Sequence, residues 1–124
     1  MLNVLITGAN RGIGLAITKL ALKRGDKVVA TCRHPSSAKE LIALRERYLD
    51  LCEIVSLDVV NEDSLHDAAL KIKDHLDLLV CNAGVLNGYG GMMSAENTMD
   101  AFRDVLMTNV ASPFFTTRYF LPHL

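Results

Sequence analysis

The sequence lacks several features that would each point to a class of protein. No apolar run in its 124 residues approaches the roughly 18 that a membrane span needs. No basic stretch precedes the first apolar run, which stops in glycines, so it reads as a core strand rather than a signal peptide. Neither sign of charge is in excess: 13 Lys and Arg against 14 Asp and Glu leave a formal net charge of −1. That removes the general electrostatic reason to expect nucleic acid or an anionic membrane as partner. Cys32, Cys52 and Cys81 are odd in number and lie in or beside apolar runs, so buried free thiols in a reducing, cytoplasmic setting explain them better than disulfides. His34, His66, His75 and His123 show no metal-ligand spacing with them; no metal site is expected, and the histidines read as surface residues. There is no internal repeat, low-complexity tract or linker, and residues 1–124 suit one domain at most.

Half of the residues are hydrophobic and 22% are charged, which supports a packed core. Leu2–Thr7 reads as a first strand and Arg11–Lys23 as a first helix with Ile13, Leu15, Ala16, Ile17 and Leu20 as its apolar pattern. Arg24-Gly25-Asp26 ends that helix with a C-terminal glycine. Lys27–Cys32 is a second strand, broken by His34-Pro35-Ser36. Ser37-Ala38-Lys39-Glu40 has capping-box spacing and opens a second helix with Leu41, Leu44 and Tyr48 on one face. Glu53–Leu57 is a third strand. Asn61 caps a third helix, with Glu62 and Asp63 in its first turn and Leu65, Ala68, Ala69 and Ile72 inward. Asp77–Cys81 is a fourth strand, and Val85–Met93 is a glycine-rich loop. A long helical segment runs from near Ser94 to about Leu121, with Pro113 as a point of kinking. Strands apolar on both faces that alternate with helices predict an α/β fold, a doubly wound parallel sheet in the order 3-2-1-4.

In such a sheet ligands lie at the carboxyl ends of the strands, beside strand one. Gly8-Ala9-Asn10-Arg11-Gly12-Ile13-Gly14 follows strand one and opens a helix. Glycines let the chain turn sharply and approach a ligand, and the helix N-terminus turns unpaired N–H groups and a positive dipole end toward it. The stretch therefore reads as a pyrophosphate cradle. A P-loop would need Gly-Lys-Ser/Thr where this chain has Gly12-Ile13-Gly14. After strand two, where an NAD site places an acid on the ribose, stand Cys32 and Arg33. Arg33 could pair bidentately with a 2′-phosphate, and Arg11 is a second cation nearby, so NADP (NADPH) is expected over NAD. After strand three, Asp58 could accept from an exocyclic amine of adenine and Val59 could pack on its ring; alternatively Asp58 serves only the turn before helix three. After strand four, Asn82-Ala83-Gly84 lets backbone approach a ligand, and Asn82 could equally hold neighbouring main chain together.

Together these residues resemble the short-chain dehydrogenase/reductase family. Thr7-Gly8-x-x-x-Gly12-Ile13-Gly14 looks like its TGxxxGIG cofactor loop, Asp58 like its adenine-contacting Asp, and Asn82-Ala83-Gly84 like the NAG of its NNAG motif, with Cys81 departing at the first Asn. Asn109 matches the family's helix asparagine, and Asn10-Arg11 with Ala30-Thr31-Cys32-Arg33-His34-Pro35 is similar to the carbonyl-reductase-like subgroup that includes the C-factor and sniffer proteins. The resemblance implies a Rossmann fold, NADP, and hydride transfer between NADPH and a small carbonyl or alcohol substrate. It implies a catalytic part for Asn109, whose backbone supports a water in the proton relay. It also implies a serine strand and a Tyr-x-x-x-Lys helix. Neither is present: Tyr48, Tyr89 and Tyr119 are followed four residues on by Cys52, Met93 and His123. The expectation is thus the cofactor-binding N-terminal portion of an oxidoreductase, truncated before the later strands, with turnover awaiting those motifs. The alternative is an inactive nucleotide-binding or sensing module. Phe102, Val105, Leu106, Val110 and Phe114 give the last helix an apolar stripe, through which the family equivalent implies a homo-oligomer.

Overall fold

β1 (Asn3–Ile6) sends Val4 and Ile6 into one apolar cluster and Leu5 into another, and all three are buried. That is the two-residue period of a strand, and burial on both sides requires cover on both sides. β2 (Lys27–Cys32), β3 (Cys52–Ser56) and β4 (Leu78–Val80) complete a parallel sheet in the order β3-β2-β1-β4. This computed structural model describes residues 1–87 and 90–124. Residues of α1 (Gly12–Arg24) and α2 (Lys39–Arg47), chiefly Leu15, Leu22 and Leu41, meet Val4, Ile6, Val28 and Ala30 on one face. On the other, Leu65 and Ala68 of α3 (Glu62–Lys71) and Phe120 of α5 (Ser112–Phe120) meet Leu5, Val55 and Leu57. The fold is doubly wound and Rossmann-type, in the strand order the pattern predicts.

Several local predictions hold for the reasons given. Gly25 closes α1 at φ 88°; its N–H reaches the Leu22 carbonyl and that of Asp26 reaches Ala21. Asn61 caps α3, its Oδ1 accepting from the Ser64 N–H at 3.1 Å. Others need correction. Ser37 forms no capping box: Pro35–Ser37 is a 3-10 turn, the Ser37 hydroxyl donates to the His34 carbonyl, and α2 begins at Lys39 with no side-chain cap. Pro35 fixes a backbone angle that favours this tight turn. Ile13 and Leu20 lie on the exposed side of α1, 73% and 62% accessible. The buried side is Gly14, Leu15, Thr18, Ala21 and Leu22. Thr18 can be buried because its hydroxyl donates to the Gly14 carbonyl at 2.8 Å, so apolarity alone misjudges which side faces the sheet.

The last helical segment starts later than Ser94. Thr98 caps α4 (Met99–Leu106), its Oγ1 accepting from Ala101 N–H at 3.1 Å. A π-helical stretch, Met107–Ala111, joins α4 to α5, and Ser112 N–H reaches back five residues to the Met107 carbonyl. Pro113 follows as the second residue of α5. It has no N–H for the carbonyl four residues back, which is that of Asn109. The helix therefore runs on through a widened turn. Part of the loop expected over Val85–Met93, Gly88 and Tyr89, lies outside the described residues. Cys32 and Cys52 are buried, but Cys81 is exposed, since it follows β4 at the edge of the sheet. His123 is not a surface residue either. It is partly buried, with Nε2 within 3.1 Å of both the Ala69 and Ile72 carbonyls at the end of α3.

The cap of α3 gives a direct test of these local assignments. Asn61→Ala should lower stability by about 1 kcal/mol in denaturant unfolding, while Asn61→Asp keeps most of it. Equal stability of Asn61→Ala and the parent would show that the cap contributes nothing.

Candidate functional site

The residues that leave β1, β2 and β4 are tied to one another. Thr7 N–H donates to the Val80 carbonyl at 3.0 Å, and Thr7 Oγ1 accepts from the N–H groups of Asn82 and Ala83, both at 3.0 Å. Asn82 Nδ2 donates to the carbonyls of Thr7 and Gly8, both at 3.1 Å. From the other side, Thr31 Oγ1 donates to Ile6 O at 3.0 Å, and the Thr31 carbonyl accepts from Ala9 N–H at 3.0 Å. The loop after β1 is thus held by the ends of β4 and β2 before it enters α1. The side-chain amide of Asn82 braces main chain in the loop after β1. Thr31 went unrecognised in the sequence because a threonine is an ordinary strand residue.

Two of the glycines answer to conformation and one to space. Gly8 and Gly12 have φ of 63° and 55°, and a Cβ on Gly8 would also sit 3.0 Å from Ala83 Cα. Gly14 has an ordinary helical backbone, yet a Cβ there would run into the Gly8 carbonyl. Arg11 at the N-cap makes no side-chain capping bond, and the first turn of α1 holds no acid. Asn10 is partly buried; Arg11 and Ile13 are exposed at this same end of the sheet. A helix start with no capping side chain and no acid suits an anion rather than a cation.

The neighbouring strand ends add the other predicted residues. Arg33 follows β2, is exposed, and like Arg11 makes no ion pair among the described residues. Burial pushes the Cys32 thiol above the ordinary cysteine range, so it is a packing group rather than a thiolate. Asp58 does serve the turn: Oδ1 accepts from Val60 N–H at 3.2 Å, and Asp58 N–H donates to Ser64 Oγ at 2.8 Å. Oδ2 has no partner among the described residues, and Val59 beside it is partly buried. Ala83 and Gly84 continue past β4. Asn109, at the middle of the π-helical stretch, clamps Val85: Oδ1 accepts from Val85 N–H at 2.9 Å, and Nδ2 donates to Val85 O at 2.8 Å. Ser64 and Val85, which fix Asp58 and Asn109, carry no sequence signal beyond their neighbours.

A larger cleft, about 470 Å³, opens at the opposite end of the sheet, between Asn3, Lys27, Leu49, Cys52 and Asp74. It contains none of the glycine-loop residues, and its rim carries both charges, with Lys27 and Asp74 paired to each other. The carboxyl end gathers the glycine loop, the start of α1 and two arginines that make no ion pair among the described residues, and it is the end at which a doubly wound sheet receives its ligand.

The family profile for short chain dehydrogenases matches residues 2–124. The chain belongs to the short-chain dehydrogenase family. An uncharacterized oxidoreductase of Schizosaccharomyces pombe is 33% identical over 123 residues, which cover 96% of this chain and 47% of that protein. The NADPH-bound carbonyl reductase from chicken fatty liver is 32% identical with a TM-score of 0.89, matching 99% of this chain and 51% of that one. A short-chain dehydrogenase/reductase structure from Burkholderia multivorans with bound NADP is 32% identical with a TM-score of 0.88, over 98% of this chain and 53% of that one. The chain spans about half the length of the curated relatives it matches.

The contrast between glycines is measurable. Gly12→Ala should cost about 1–2 kcal/mol, the penalty of an L-residue in the left-handed region with open space around it. Gly14→Ala should cost more, about 3 kcal/mol or above, because α1 must move off the Gly8 carbonyl. Denaturant midpoints of the two variants compare them directly; an equal or smaller loss at Gly14 would contradict the close packing.

Proposed function

We propose that this chain is the NADP-binding portion of an oxidoreductase that moves hydride between NADPH and a small carbonyl or alcohol. The observation that carries the choice of NADP is the pair Arg11 and Arg33. Both are exposed, neither is paired among the described residues, and no acid stands at the end of β2. An acid there would accept from the ribose hydroxyls of NAD and repel a 2′-phosphate; guanidinium groups do the reverse. The NADPH and NADP bound in two structural relatives support the same reading.

In this reading the N–H groups at the start of α1 and the turn at Gly12 take the pyrophosphate, assisted by Asn10 and Ile13. Asp58 Oδ2 accepts from the adenine amine while Val59 packs on the ring. Ala83 and Gly84 let the main chain lie against the nucleoside, and Asn82 acts through Thr7 and Gly8 rather than by touching the cofactor. The nicotinamide supplies the hydride when bound. Asn109 holds Val85 in place with its side chain, and its main chain is the part the family resemblance gives to a proton-relay water. By the family resemblance, substrate turnover rests on a catalytic serine strand and a Tyr-x-x-x-Lys helix beyond the motifs matched here, and no Tyr-x-x-x-Lys stands in these residues. The exposed stripe Phe102, Leu106, Val110 and Phe114, each over half accessible, supports association of copies through α4 and α5 in a cytoplasmic protein.

Calorimetric titration of NADPH and NADH tests the cofactor reading. Arg33→Ala should weaken NADPH roughly ten- to a hundredfold, the worth of hydrogen bonds to a charged group, and leave NADH within about twofold. Equal affinity for the two nucleotides, unchanged by Arg33→Ala, would remove the argument for NADP.

A further inference from the structure

The Cys32 carbonyl accepts the last ladder bond between β2 and β3, from Leu57 N–H at 2.9 Å. Arg33 lies one residue beyond it, where main chain ordinarily begins to loosen. Here two side chains hold the turn. The Ser56 hydroxyl donates to the Arg33 carbonyl at 3.3 Å. The His34 carbonyl accepts from both the hydroxyl and the N–H of Ser37, at 3.1 and 3.2 Å. Pro35 then fixes the next backbone angle. Ser37 acts within this turn; Ser56 reaches it from β3.

We propose that Ser56 is a positioning residue for recognition of the nucleotide 2′-phosphate, acting through Arg33; this rests on the NADP reading above. Ser56 touches no part of the nucleotide. Its bond anchors the Arg33 main chain to β3 and restricts the directions open to the guanidinium. A long side chain on an anchored backbone loses less freedom when it closes on a dianion, so the anchor strengthens binding of the phosphate alone. Nicotinamide dinucleotides without that phosphate make no demand on Arg33 and should be indifferent to Ser56.

The test is a double-mutant cycle by calorimetry with NADPH and NADH, using Ser56→Ala, Ser56→Thr, Arg33→Ala and the Ser56→Ala/Arg33→Ala pair. Ser56→Ala should weaken NADPH about three- to tenfold, the net worth of one hydrogen bond, with NADH within about twofold. Ser56→Thr, which keeps the hydroxyl, should restore NADPH binding. In the Arg33→Ala background, Ser56→Ala should have no further effect. Equal weakening of both nucleotides, an undiminished loss in the Arg33→Ala background, or no loss at all would overturn the assignment. Should Arg33→Ala leave the NADPH-to-NADH ratio unchanged, the NADP reading fails and this proposal with it. Should Arg33→Ala collapse the ratio while Ser56→Ala does not, only the part given to Ser56 fails.

Discussion

One side-chain amide ties the molecule's two halves together at the site. Asn82 uses both hydrogens of its amide on successive carbonyls, Thr7 and Gly8, while Thr7 Oγ1 receives the next two N–H groups of β4's extension. Each bond is worth about 0.5–1.5 kcal/mol net, but the geometry matters more than the sum. With its carbonyls turned toward Asn82, the loop after β1 is fixed in the orientation from which α1 starts. Gly14 can pack against Gly8 only because that carbonyl is held, and the left-handed turns at Gly8 and Gly12 are kept by the same ties. A helix N-terminus can receive an anion in many proteins; this one is pinned to the strand ends on either side of it.

The same logic recurs farther along the chain. Asn109 is an amide that takes and gives one bond each to Val85, on a helix widened to five-residue spacing around it. Pro113 explains why the widening falls there, since it cannot supply the N–H that a regular helix would send to the Asn109 carbonyl. Ser64 on Asp58 and Ser56 on Arg33 are smaller versions of this arrangement. At Arg33 and Asp58, short polar side chains from neighbouring elements hold the main chain of a motif residue.

The strand order was readable from the sequence because β1 and β2 are short apolar runs flanked by glycine and charge, and right-handed crossovers leave few ways to arrange them. The Gly8, Gly12 and Gly14 cradle was readable because glycines between a strand and a helix have few other uses. What escaped was decided by hydrogen bonds that hydropathy does not register. Thr18 and Thr31 are buried polar residues whose hydroxyls find main-chain carbonyls, while Ile13 and Leu20 of the apolar pattern lie exposed. Ser37 had the spacing of a cap, but Pro35 two residues earlier committed the chain to a tighter turn. Asp58 serves the turn through one oxygen, and its other oxygen has no partner among the described residues. His123 reads as polar in sequence, and only the approach of α3 makes its ring an inward-facing tie.

The central claim is that the carboxyl ends of β1, β2, β3 and β4 form one dinucleotide cradle. The most direct measurement is the change in backbone amide NMR shifts as NADPH is titrated into the 124-residue protein. The account predicts changes concentrated at Asn10–Gly14, Arg33, Asp58–Val59 and Ala83–Gly84, with little at Leu49–Cys52 or Lys73–Asp74. Changes centred on the amino-end cleft, or confined to the glycine loop without Arg33 and Asp58, would contradict it.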